Sequence, residues 1–141
     1  ASSAASDVYK RQVLRGPVYY YYLNLLCEKE WMGTRVCTMK MLKTMSIDKL
    51  RQSHQDSWKI DNASWHWSFF GDADTVRAKM DAYEHQENNL PQFRNTMEQR
   101  IEAGLDPFGR DYLYKPTVVP IDGSYPDYVQ KNKEKLVRFI K

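Results

Sequence analysis

The run from Val18 to Leu26 limits the possible folds more than any other part of the chain. In strand geometry successive side chains point to opposite sides, so Tyr19, Tyr21, Leu23 and Leu25 share one face. Tyr20, Tyr22 and Leu26 take the other. A strand that is apolar or aromatic on both faces is stable only where both are covered, as in the middle layer of an α/β arrangement.

The rest of the chain supplies candidates for that cover. Glu28–Gly33 reads as a turn, and Thr34–Met39 as the second arm of a hairpin or a neighbouring strand. Ser46–Gln52 reads as a short helix with Ser46 as its N-cap, and 53–62 as polar loop. Ser64–Phe70 is the next expected strand. Ala73, Val76, Met80 and Tyr83 recur at three- and four-residue steps, which predicts a helix over Asp72–Tyr83. Leu90, Phe93, Met97 and Ile101 form the stripe of a second helix, Asn89–Ala103, closed by Gly104. Tyr112–Ile121 is extended and broken by proline, and Pro126–Asn132 and Lys133–Ile140 read as short helical pieces. Strands mixed with helices give an α/β layer with too few strands for a complete doubly wound sheet. Residues 1–12 lack any period and read as an adapter-like, non-native or disordered segment, which leaves 13–141 as the folded portion.

Composition narrows the class. A hydrophobic content of 42% and a mean hydropathy of -0.73 describe a polar globular chain without a membrane-length apolar run. The net charge of +3 is spread along the sequence, which reads as a solvated mixed-charge surface rather than a nucleic-acid patch. Near the C-terminus, Leu136, Val137, Phe139 and Ile140 turn a locally basic stretch into a docked segment. Cys27 and Cys37 either pair across two strands in an oxidising compartment or remain free thiols. Asn62-Ala63-Ser64 is a glycosylation sequon, relevant only in a secretory protein.

The chemistry-bearing residues cluster around Ser64–Gly71, where aromatics are densest. Asp72-Ala73-Asp74 is the chain's Asp-x-Asp string, but directly after Gly71 it reads as a helix cap rather than a metal pair. Strand alternation puts Trp65 and Trp67 on one face, as core or as a sugar platform. His66 falls on the other face, as a metal or diphosphate ligand or as a buried, hydrogen-bonded histidine. His85 and Glu87, just past the helix, read as a polar end facing solvent or an acceptor sugar. No nucleophile elbow and no Gly-rich phosphate loop is present.

The ordered series Tyr19-Tyr20-Tyr21-Tyr22-Leu23-Asn24, Trp31-Met32-Gly33-Thr34-Arg35, Trp65-His66-Trp67-Ser68-Phe69-Phe70-Gly71, and Lys79-Met80 with His85-Gln86-Glu87-Asn88 resembles glycosyltransferase family 17. Ile101-Glu102-Ala103-Gly104 and Tyr128–Ile140 resemble its closing segment, so the likeness covers about residues 18–140. It implies the C-terminal half of a GT-A-like nucleotide-sugar transferase fold. It implies inverting β-1,4 transfer of N-acetylglucosamine from UDP-N-acetylglucosamine to a β-linked mannose of N-glycans, and a divalent metal, Mn or Mg. The family's metal aspartates belong in a Ser-Asp-x-Asp-Glu-Ile-Pro-like motif with no counterpart before Val18, so the chain alone is expected to be inactive. On this reading His66 completes the metal shell and Glu87 is the candidate base. Trp65, Trp67, Arg35 and His85 contact substrate, with Arg35 pairing with the diphosphate or a buried carboxylate. The partners are a nucleotide sugar and a glycoprotein glycan, in the Golgi lumen on a single-pass anchor if the parent is eukaryotic. Two other outcomes stay open: a non-enzymatic carbohydrate-binding or interaction module that uses its aromatics as stacking platforms, and a truncated product without function.

Overall fold

The computed structural model describes residues 11–52 and 57–141. It is a mixed α/β structure. The strands are β1 (Arg11–Tyr20), β2 (Leu25–Cys37), β3 (Trp58–Ile60), β4 (His66–Ser68) and β5 (Thr117–Val118). The sheet order is β3-β1-β2-β5, with β4 also pairing with β1. β1 and β3 are parallel, with Gln12 opposite Trp58, and β2 and β5 are antiparallel, with Leu25 opposite Val118. The helices are α1 (Met39–Leu42), α2 (Ile47–Gln52), α3 (Ala73–Asp81), α4 (Pro91–Arg94), α5 (Met97–Ala103) and α6 (Asp127–Lys131). Among the described residues no helix is long and apolar enough to cross a membrane.

The chain forms two compact units, one from the described residues up to Pro17 with Lys29–His66, the other from Val18–Glu28 with Trp67–Lys141. In the first, the stretch after β3 continues along β1. Ala63 N–H donates to Arg15 C=O at 2.9 Å and the Ser64 hydroxyl to Leu14 C=O at 3.1 Å. Gly16 permits this approach, because a Cβ there would lie 1.7 Å from the Ser64 carbonyl oxygen. Arg15 pairs with Glu30 and Asp61. Val13 and Leu50 are its buried apolar residues.

The second unit has the larger core. Tyr19, Tyr20, Tyr21, Leu23 and Leu25 are all buried, whereas Tyr22 and Leu26 of the expected second face are only half-buried, so the two-sided burial read from the sequence holds in part. Val76 and Met80 of α3 and Met97 of α5 are fully buried, and α3 packs on α5. A polar staple closes the loop after α5. Asp106 is fully buried. Its Oδ1 accepts from the Phe108 and Arg110 backbone N–H groups, and its carboxylate takes a two-pronged pair from the Arg110 guanidinium. Arg100 donates to the Asp106 carbonyl and to both oxygens of Asp111.

Several boundaries differ from the sequence reading. Arg11 and Gln12, assigned to a foreign segment, open β1; residues 1–10 lie outside the described residues. The turn expected at Glu28–Gly33 is strand, and the chain reverses at 21–24, where Tyr21 adopts a left-handed φ of 61°. Aromatic patterning alone does not reveal such a break. Within the expected loop 53–62, Trp58–Ile60 pairs with β1. The strand expected over Ser64–Phe70 shrinks to His66–Ser68, because Phe69 turns left-handed at φ 51°. The expected helix Asn89–Ala103 splits in two, with Thr96 Oγ1 bonding back to Gln92 C=O at 2.8 Å where the helix breaks. Gly104 does close α5 in the left-handed conformation, and Leu105 N–H reaches Arg100 C=O at 2.8 Å. Ser46 caps α2 through Lys49 N–H at 3.2 Å. Cys27 and Cys37 lie on one strand, ten positions apart, which rules out pairing with each other at about 3.3 Å per residue.

Candidate functional site

The aromatic segment around β4 is held by a different partner at each position. Trp67 stacks on Tyr19 with ring centroids 5.9 Å apart and donates its indole N–H to Leu23 C=O at 3.2 Å. Those bonds make Trp67 a wall of the second unit's core. In the first unit the His66 ring stacks on Trp31, 4.6 Å between centroids at 20°. Asp72 is the N-cap of α3, as its position after Gly71 suggested: Oδ1 accepts from Thr75 N–H at 2.9 Å and Thr75 Oγ1 at 2.7 Å. These bonds hold its carboxyl below the usual range.

The other expected site residues are held by local partners. Arg35 donates to the Arg51 carbonyl in the last turn of α2 at 3.0 Å, and burial, then Arg11, lowers its pKa. His85 Nδ1 and Glu87 Oε1 are 3.0 Å apart on an exposed turn. The Glu87 carboxyl is held low, first by its own backbone N–H and then by His85, which weakens it as a base. Among the described residues no three His, Cys, Asp or Glu side chains gather to hold a metal ion. The donor set around His66 therefore does not by itself fit the divalent metal that the resemblance implies.

The second unit contains a cleft of about 550 Å³, lined by Tyr21, Tyr22, Gly71, Asp72, Glu98, Arg138 and Phe139 among others. This is within the range of small-ligand sites, about 300–1,000 Å³. Its wall is two chain reversals clipped together: Tyr21 N–H donates to Ser68 C=O at 3.2 Å, and Gly71 N–H to Tyr21 C=O at 3.4 Å. Tyr21 and the neighbouring Phe69 both sit at positive φ. For bulky residues that costs roughly 1–3 kcal/mol each and collects at functional positions. The Tyr21 hydroxyl anchors the wall by donating to Leu105 C=O at 2.6 Å. Sequence reading reached Asp72 but not Tyr22, Glu98, Arg138 or Phe139 as a group, because they converge from three separate segments without a shared spacing.

Compared with protein-family models, curated proteins and solved structures, the chain matches none.

Proposed function

We propose that this chain belongs to an inverting glycosyltransferase that passes N-acetylglucosamine from UDP-N-acetylglucosamine to a β-linked mannose of an N-glycan. The observation that carries the reading is the cleft beside Tyr21 and Gly71. Two segments of the resemblance, Tyr19–Asn24 and Trp65–Gly71, meet there and contribute its strained wall. Aromatic rings beside ionised side chains are what sugar binding requires, since ring faces take the apolar side of a pyranose and charged groups its hydroxyls.

Inverting transfer needs a base at the acceptor hydroxyl and compensation of the departing diphosphate. Glu87 is exposed, held low and not among the cleft-lining residues, so it is a weak candidate for the first role. The described residues do not gather a metal set for the second. With a eukaryotic parent, the reading places the site in the Golgi lumen on a membrane-anchored protein. A non-catalytic carbohydrate-binding module shares the same supporting cleft and is the alternative.

The test is transfer to an agalacto-biantennary N-glycan, read by mass spectrometry. It compares this chain with the protein made from its complete coding sequence. The expected result is one added N-acetylhexosamine with the complete protein and none with the chain alone. A complete, folded protein that binds the glycan but transfers nothing from any common nucleotide sugar overturns the transferase reading in favour of the binding module.

A further inference from the structure

The cleft in the second unit has a chemistry narrower than sugar handling in general. Phe139 is in ring contact with Phe70, centroids 4.9 Å apart, and the Arg138 guanidinium lies 4.5 Å over the Phe139 ring. Arg138 and Phe139 both line the cleft, and among the described residues the Arg138 N–H groups make no hydrogen bond to protein. Facing needs of the opposite kind, two carboxylates line the same cleft. Both Thr75 bonds end on Oδ1 of Asp72, and Arg77 binds Oε2 of Glu98 at 2.6 Å. Beyond these bonds each carboxylate meets only its own backbone N–H, which leaves it acceptor capacity for an incoming hydroxyl. Thr75 holds Asp72 ionised and Arg77 does the same for Glu98, so both act as acceptors at neutral pH.

The lining thus sets two carboxylates against one guanidinium. A diphosphate entering it finds no surplus of cations, because Arg77 is bound to Glu98 and Asp72 balances Arg138, whereas an uncharged polyol finds both acceptors and a donor. We propose that this cleft is the subsite for an uncharged pyranose, the acceptor side of the proposed transfer and not its nucleotide side. The inference rests on the glycosyltransferase reading for the word acceptor, but its physical content is a neutral-sugar site.

The test is an amide NMR titration of the full chain with two probes, the trimannosyl-chitobiose core glycan and UDP-N-acetylglucosamine. The glycan should shift the signals of Tyr22, Ala73, Thr75 and Phe139, and the nucleotide sugar should leave them in place. Arg138→Ala and Glu98→Gln should each weaken glycan binding about ten- to a hundredfold, the size of one lost hydrogen bond to a charged group, with the dispersion of the remaining spectrum reporting the fold. A glycan that leaves these signals unmoved, or a nucleotide sugar that moves them, overturns the proposal. The two readings fail separately. If the glycan titrates the cleft but the complete protein transfers nothing, the neutral-sugar site stands without the transferase. If the complete protein transfers and both variants keep the parent KM for glycan, the transferase stands and the cleft assignment falls.

Discussion

The two units reach stability by different routes. The unit built on Val18–Glu28 and Trp67–Lys141 buries tyrosines, methionines, Phe69, Ile101 and Phe108 around the Asp106 staple. The unit containing Lys29–His66 buries Val13 and Leu50 and exposes Met39, Ile47 and Trp58. It is held by close backbone approach at Gly16, by the Arg15 ion pairs and by the Trp31–His66 stack. Apolar burial is the dominant favourable term in folding, and exposed pairs contribute little. The first unit should therefore open at a lower free energy than the second. Strained backbone at Tyr21 and Phe69 is tolerated because it sits in the well-buried unit, beside the cleft.

The largest expected effect is at the staple. Asp106→Ala strands the Arg110 guanidinium and removes the acceptor for two backbone N–H groups. It should cost about 3–5 kcal/mol, seen as collapse of the cooperative denaturant transition. Survival of the second unit with near-parent stability would break the contrast.

Alkaline titration comes next. Burial raises the pKa of Tyr20, Tyr21 and Tyr125 well above the ordinary phenol value, and burial, then Asp106, pushes the Cys27 thiol up to about 12. Each is an acid held neutral in the folded state, so its contribution is present below its unfolded pKa and lost as pH rises past it. For the thiol the loss begins near pH 8.5, and for the phenols near pH 10. Phenolate absorbance for these tyrosines should appear together with loss of near-ultraviolet circular dichroism; ionisation in a still-folded protein contradicts the burial described.

Gly16→Ala sharpens the comparison from the other side. A Cβ there meets the Ser64 carbonyl, and the cost should be about 1–3 kcal/mol. Hydrogen exchange should accelerate at Val13–Arg15 and Ala63–Ser64 while α3 and α5 keep their protection. Equal acceleration in both units would show a single cooperative fold.

The smallest effect separates cap from charge at Asp72. Asp72→Asn should retain the melting temperature and Asp72→Ala lower it slightly, because both Asp and Asn accept from Thr75 N–H. Because the Asp72 carboxyl is held below its usual range, first by the Thr75 hydroxyl, its contribution is present above the unfolded pKa near 4. It fades as pH falls through the depressed folded value. Matching losses in Asn and Ala would show that charge, not the cap, matters.

What the sequence made legible was local. Asp72 capping α3, Ser46 capping α2, Gly104 closing α5 and the burial of Tyr19, Tyr20 and Tyr21 each follow from a few adjacent residues. Long-range features were not legible. Tyr21 reverses the chain because Ser68 and Leu105 hold it, and neither lies near it in sequence. Glu28–Gly33 looked like a turn from its charge and glycine, yet it lies inside β2. The cleft was illegible for the same reason, since Arg138 and Glu98 have no spacing in common with Tyr22. The Trp31–His66 stack likewise joins residues far apart in sequence.

Hydrogen–deuterium exchange of the full chain with and without the core glycan tests most directly whether the well-buried unit carries a sugar site. Added protection is expected over Tyr21–Tyr22, Gly71–Thr75 and Arg138–Phe139, and none over Lys29–His66. Unchanged exchange throughout, or protection confined to Trp31–His66, would contradict it.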